Sequence, residues 1–349
     1  MTAALGTFRA LDHAFAIDVE GDAPVDIGDV FGALAADVTP EVTYRFTFPD
    51  PGKDEGELFR DDDLIAGGRA RVLLQILITH LGRAIADTEP GGSIHATTLR
   101  VGDGTVLLAG PTARGKSTLS AKLLLGGASL VAEDISVLDP GTLTVRTYHR
   151  PLGLAEKSFE LLGIPIPPAA GEPCGCGGKV LATAEHLGAA LAGPSQPTVV
   201  ALVDRNEEAL VPLSPAAALA KMLEAGVSPT PDPATDLDTL IRLLAAARCF
   251  TIGTADLDAA ADWVTQLAGN TPVEPVPTLV EQHGDRIDVY AGTEAVVVAD
   301  GQSHLLNQTA AVVWLLRNEG LDAAGIAAEL DAGTDVVDAA LRELAGIEA

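Results

Sequence analysis

The sequence predicts an α/β fold organised around an anion-binding loop, on three observations. Gly110-Pro111-Thr112-Ala113-Arg114-Gly115-Lys116-Ser117 fits the pattern G-x-x-x-x-G-K-[ST]. An apolar strand-like run, Val106-Leu107-Leu108-Ala109, precedes it, and helix-forming residues 119–125 follow. Short strand-like runs and helical periodicities then alternate along the rest of the chain.

Composition sets the outer limits. The 349 residues suffice for two or three domains and for a core without disulfides. With 47% apolar and 20% charged residues, the chain is globular in composition, not disordered. Aromatics make up only 4%, so a core of Ala, Leu and Val is expected. Asp and Glu number 49 against 22 Lys and Arg, for a net charge of −27. That balance argues against nucleic acid and anionic membranes as partners. Three Cys do not make a disulfide framework, which points to a reducing cytoplasm. Arg9 and Asp12 interrupt the N-terminal apolar stretch, so no signal peptide is expected. The run 72–78 contains Gln75 and falls far short of the ~20 residues a membrane span needs.

Element by element, 42–48 reads as a strand ended by Pro49, Asp50-Pro51-Gly52 as a turn, and 68–86 as a helix with apolar residues three and four apart. Strands are expected at 94–99 and 105–109, joined by the hairpin turn Val101-Gly102-Asp103-Gly104. A helix over 116–125 stops at Gly126-Gly127. Short strands at 129–131 and 136–138 flank Glu133-Asp134, and the Pro- and Gly-rich segment 163–179 reads as a loop. Strands at 198–203 and 209–213 read as a pair. Helices at 215–224, 237–248 and 256–267 and a strand at 249–252 follow. Residues 269–277 read as a linker. Beyond it come strands at 287–290, 295–299 and 303–306, then helices at 309–317, 323–330 and 335–344. The expected division is a small N-terminal α+β region (1–89), a phosphate-loop domain (90–268), the linker, and a C-terminal α+β domain (278–349).

The chemistry concentrates in the loop. Glycines let backbone N–H groups turn onto phosphate oxygens, and Lys116 brings a mobile positive charge to the outer phosphates. The Ser117 hydroxyl suits Mg²⁺, and the following helix points its positive end at the anion. Asp134, seventeen residues past Ser117 and next to Glu133, is suited to hold the metal, to accept a hydroxyl proton, or both. The plainer alternative is a solvated acidic pair.

From Ile94-His95-Ala96, through Gly104 and the loop to Thr118, and on to Gly127-Ala128-Ser129-Leu130-Val131-Ala132-Glu133-Asp134, the chain resembles the kinase domain of HPr kinase/phosphorylase and its relatives. Arg150-Pro151-Leu152-Gly153 adds to the likeness, which spans about 90–267 and weakens after 155. The resemblance implies a P-loop kinase fold of the HPr kinase type. It places His95 near the transferred phosphate, and Gly110, Arg114, Gly115, Lys116, Ser117 and Thr118 on the phosphates of ATP, or alternatively GTP. Mg²⁺ would be held by Ser117 and Asp134. Asp134 would also be general base toward a serine hydroxyl, with Glu133 as the paired acid and Arg150 stabilising transition-state charge. Taken alone, a strand histidine and a surface arginine also have purely structural readings. Two departures stand out: Glu133 replaces an Asp, and Thr112-Ala113-Arg114 replaces the more usual Ser-Gly-x. The segment with which HPr kinases grip HPr has no counterpart, so HPr is not the expected target.

The stretch Leu305-Leu306-Asn307, Thr309-Ala310 and Trp314-Leu315-Leu316 resembles the small PqqD-like peptide-binding domain, the alternative being a generic winged-helix-like module. Asn307 is placed to cap a helix and Trp314 to pack in a core. That resemblance implies an extended leader peptide added to a sheet edge. Together the two likenesses imply a kinase phosphorylating a serine of a small protein or ribosomally made peptide. A nucleotide-switched peptide-delivery protein and a small-molecule kinase are the alternatives, and a homo-oligomer stays open. Cys174 and Cys176 read as a metal or redox pair, as part of a glycine loop bringing Lys179 to phosphate, or as plain loop. Residues 110–180 hold seven Lys and Arg and six Asp and Glu, so the acidity lapses where a polyphosphate would bind.

Overall fold

The computed structural model describes residues 2–88, 93–167, 179–205, 209–225, 232–269, 274–345 and 347. The protein is mixed α/β. Strands β1 (Thr2–Ala10), β2 (His13–Gly21), β3 (Val42–Phe48), β4 (Glu55–Arg60) and β5 (Asp63–Arg69) form one sheet in that order. All neighbours are antiparallel except β2 and β3, which are parallel and joined through α1 (Ile27–Phe31). Only β3 among these strands is expected from the sequence. Strand β1 reads Thr-Ala-Ala-Leu-Gly-Thr-Phe-Arg-Ala, and its Ala and Gly hide it from β-propensity.

The buried residues are mostly Ala, Leu and Val, as expected, but the core of this sheet is locally aromatic. Six of the eight Phe fall within the first 60 residues. Phe15 stacks on Phe8 with ring centroids 5.6 Å apart and meets Phe31 and Tyr44 edge-on. A low average concealed a local concentration. Helix α2 (Ala70–Thr88) lays Leu73, Leu77, Leu81 and Ile85 against this cluster.

The middle of the chain comprises β6 (Ser93–Ile94), β7 (Ala96–Val101), β8 (Gly104–Ala109), α3 (Lys116–Leu125), β9 (Ser129–Ala132), β10 (Ser136–Val137), β11 (Leu152–Leu154), α4 (Glu156–Leu162), β12 (Val180–Ala182), β13 (Val199–Asp204), β14 (Leu210–Leu213), α5 (Pro215–Glu224), α6 (Pro233–Ala246), β15 (Arg248–Gly253) and α7 (Leu257–Ala268). Six of these strands run in the order β14-β15-β13-β8-β7-β9, with β8, β13 and β15 mutually parallel. Strands β6 with β10 and β11 with β12 make separate two-stranded pairs. Strand β8 is buried on both faces. Val106 and Leu108 face α3 and α7, whereas Leu107 and Ala109 join the cluster of α2, α5 and α6.

The expected pairing of 198–203 with 209–213 does not form. Strand β15 lies between them, pairing with β13 on one side and β14 on the other. The reason is legible in the residues. Val199–Val203 is apolar throughout and suits a central position, while Pro212 lacks an N–H and fits an edge.

The last sheet is an antiparallel meander of β16 (Thr278–His283), β17 (Arg286–Ala291), β18 (Glu294–Ala299) and β19 (Gln302–Leu306). Strand β16 is one more than the sequence predicts. Helices α8 (Gln308–Asn318), α9 (Ala323–Glu329) and α10 (Thr334–Leu344) follow. Both faces of this sheet are covered. Ile287, Val289, Ala291 and Val296 pack with α5 and α6, while Ala295, Val297 and Leu306 pack around fully buried Trp314. The Ser214 hydroxyl at the N-cap of α5 also donates to the Glu294 carboxylate. Residues 270–273 of the expected linker lie outside the described residues. Among the described residues no helix is long and apolar enough to cross a membrane.

Asp288 lies buried under Trp314. Its Oδ2 accepts from Trp314 Nε1 and Asn318 Nδ2, each at 2.9 Å. Arg286 Nε stands 3.1 Å from Oδ1, and the guanidinium sits over the Trp314 ring. Trp314→Phe keeps most of the packing but removes one donor from a buried carboxylate. We expect a loss of about 1–3 kcal/mol, read as a lower urea midpoint, and a smaller loss for Asn318→Gln.

Candidate active site

The loop after β8 turns on residues whose backbones are confined by neighbouring strands. Gly110 has φ +131°, and a Cβ there would come within 2.7 Å of the Val203 carbonyl. Gly115 has φ +102°, and a Cβ there would meet Thr254 Oγ1 at 2.9 Å. Thr254 in turn donates its hydroxyl to the Arg114 carbonyl at 3.0 Å. The ends of β13 and β15 therefore clasp the loop, at the carboxyl edge of the parallel strands where open α/β sheets take ligands. Lys116 opens α3 and bends back, donating to the Gly110 and Pro111 carbonyls at 2.5 and 2.9 Å.

A cleft of about 570 Å³ opens beside the loop. Lys116, Ser117 and Thr118 line it together with His95, Glu133 and Asp134. Residues far apart in sequence thus share one cavity. Three predicted site residues stand outside its lining: Gly110, whose carbonyl accepts from Lys116, and two arginines. Arg114 reaches toward Asp204, 3.7 Å away. Arg150 is buried behind Asp134, with Nη1 at 3.2 Å from Oδ2. Thr118 shares its hydroxyl with Ser158 of α4 at 2.9 Å.

Asp134 is held in an unusual backbone state. Its φ is +66°, and Ile135 N–H donates to the Glu133 carbonyl at 2.8 Å, closing a three-residue turn centred on it. For a non-glycine residue such a conformation costs on the order of 1–3 kcal/mol and clusters at functional sites. The Asp134 carbonyl accepts from Ala96 N at 3.1 Å, which ties the turn to β7.

The two acids are pushed in opposite directions. Burial raises the Glu133 carboxyl above its ordinary value, despite the nearby Arg150 and a 2.6 Å hydrogen bond donated by Thr97. Burial also acts on Asp134, but the fields of Arg150, His95, Lys179 and Lys116 outweigh it and hold that carboxyl low. Burial lowers His95 against the pull of Asp134. Its Nδ1 faces two acceptors, the Asp134 carbonyl at 3.0 Å and Oδ1 at 3.3 Å. A proton on Nδ1 fits both acceptors. Burial likewise lowers Lys116.

Several lining residues are invisible to motif reading. Thr97 lies near the start of β7, two residues past His95, which occupies the bend between β6 and β7 rather than the continuous strand expected over 94–99. Arg205 and Thr254 directly follow β13 and β15, a placement that needs the sheet order. Lys157 and Leu161 come from α4, and Lys179 from the start of β12. Helix α2 braces this wall: Arg71 pairs with Glu156 at 3.2 Å and Gln75 donates to the Lys179 carbonyl at 3.4 Å. It also abuts the acidic turn, since a Cβ on Gly82 would lie 3.1 Å from Ile135 Cδ1. Cys174 and Cys176 lie outside the described residues. His149 and His186 each place Nε2 on a backbone carbonyl, of Ala192 and Pro165.

Among the described residues no group of three or more His, Cys, Asp or Glu forms a metal cage. Ser117 and Asp134 together supply oxygen donors of the kind Mg²⁺ takes when phosphates complete its shell. No protein-family model matches the chain, and no curated protein matches it.

Removing Arg150 isolates its effect on Asp134. In Arg150→Leu the largest of the fields that oppose burial is gone, and the Asp134 carboxyl should titrate at higher pH than in wild type, measured by carboxyl ¹³C NMR. A depressed carboxyl contributes stability that is fully present above its unfolded value, near 3.8, and is lost as pH falls through the folded value. The stability gap between wild type and Arg150→Leu should therefore be widest above that pH and close below it.

Proposed function

We propose that the protein is a nucleoside-triphosphate-dependent kinase of the HPr kinase type, with the P-loop fold that name implies. It transfers the γ-phosphoryl group to a hydroxyl, that of a serine on a small protein or ribosomally made peptide. The observation that carries this reading is the meeting, in one cleft, of the Lys116 loop with a carboxylate held ionised at Asp134. Phosphoryl transfer asks mainly for positioning and for charge stabilisation, and these groups supply both.

In this reading the loop N–H groups and Lys116 hold the phosphates. Lys116 gives up its contacts with the loop carbonyls to do so. Ser117 and Asp134 would hold Mg²⁺, which would supply charge neutralisation on the phosphates. Asp134 orients the acceptor hydroxyl and takes its proton. His95 and Arg150 keep that carboxylate ionised and aimed. Lys179 adds positive charge at the point of transfer, which fits the sequence reading that brings it to phosphate.

The residues from 278 onward are read as the peptide-recruiting, PqqD-like part, with a winged-helix-like arrangement of a meander and three helices. Among the described residues strand β19 pairs only with β18, so its other side offers an edge for an added strand. Asn307 caps α8 by accepting from Ala310 N, as that family's motif asks.

The test is transfer of label from γ-labelled ATP, with Mg²⁺, to peptides encoded beside the gene. Lys116→Ala and Asp134→Asn should each lower kcat by about 10²–10⁴-fold. Gly115→Ala should do likewise, because a Cβ there collides with Thr254. Transfer at wild-type rate in Lys116→Ala would overturn the assignment.

A further inference from the structure

The cleft is longer than its phosphate end, and its far end has a different chemistry. The carboxylates, His95 and Lys179 mark the place of transfer. The nucleoside must therefore leave the loop in the other direction, along the start of α3. Two helices flank α3 there. Helix α4 is tied to it by the Thr118–Ser158 hydrogen bond, and α7 by the ion pair of Lys122 with Asp258. Each presents a leucine to the cleft, Leu161 from α4 and Leu257 from α7. Leu161 is 63% exposed, the largest such figure among the exposed large apolar side chains. Ala155 and Ala255 complete an apolar rim.

Building on the kinase reading, we propose that Leu161 and Leu257 form the two sides of a slot for the nucleobase, and that this slot does not select adenine. Apolar side chains hold the flat faces of a base without regard to its edge. Edge recognition needs polar partners, and those at this end are committed or one-sided. Thr118 is engaged with Ser158, and Thr254 with the Arg114 carbonyl. Lys157 and Arg205, which also line the cleft, carry only donors. Adenine and guanine each offer ring acceptors that a donor satisfies and an amino group that wants an acceptor, so side chains that only donate do not tell them apart. Among the described side chains, GTP and ATP are thus served alike.

The test is calorimetric titration of the full chain in Mg²⁺ with three probes: tripolyphosphate, ATP and GTP. We expect ATP to bind at least about ten-fold more tightly than tripolyphosphate, and GTP to match ATP. Leu161→Ser should weaken ATP and GTP about ten-fold and leave tripolyphosphate unchanged. Leu161 is exposed, so the variant should fold as wild type, and Leu257→Ser is the second variant. Four results would overturn the slot with the loop reading intact: ATP no tighter than tripolyphosphate, the variants leaving ATP unchanged, all three probes weakened alike, or a ten-fold preference between ATP and GTP. Failure of all three probes to bind would remove the phosphate-loop reading, and the slot with it.

Discussion

The structure turns on one electrostatic constraint: two adjacent carboxyls, Glu133 and Asp134, are taken largely out of water beside the loop of Gly110 to Ser117. Left alone, both would neutralise. The protein keeps one ionised by surrounding it with Arg150, His95, Lys179 and Lys116, and lets burial raise the other against its Thr97 hydrogen bond. Opposite environments for neighbouring acids divide roles that residue type alone cannot divide. The backbone shares in this, since φ +66° at Asp134 turns consecutive side chains out of the usual strand alternation. One carboxyl can then enter the cleft while its neighbour stays buried under β7.

Much of the remaining architecture serves to hold that turn in place. Strand β7 fixes it through Ala96, and helix α2 presses on Ile135. The same helix reaches Glu156 and the Lys179 backbone, so one rod touches both walls of the cleft. The N-terminal sheet, whose sequence carries no motif, supplies the aromatic bed on which α2 rests. A function-bearing site and a featureless region are mechanically one object.

What could be read from the sequence was local. The loop, the bounds of α3 and α5, and the acids after β9 follow from patterns within about ten residues, where backbone sterics and capping decide. What escaped reading depends on contacts between distant segments. Strand β15 enters between β13 and β14 because the sheet as a whole places an apolar strand inside and a proline-bearing one at its edge. Leu161 and Lys157 look like ordinary surface residues of a short helix until α4 is seen against α3. The aromatic N-terminal core escaped for another reason: a composition averaged over 349 residues cannot show where eight Phe are spent. Sequence reading also put Arg150 and Arg114 on the ligand, whereas both reach carboxylates first.

The meander of β16 to β19 has apolar residues on both faces, and one of those faces closes over α5 and α6. During synthesis those helices leave the ribosome well before the strands that will cover them. Their apolar sides stay wet until translation has passed residue 306, and at ordinary elongation rates that interval lasts several seconds. The nascent chain thus carries a temporary sticky surface, and a ribosome stalled in the linker would release a product prone to associate. The chain's strong negative charge keeps such intermediates apart from one another.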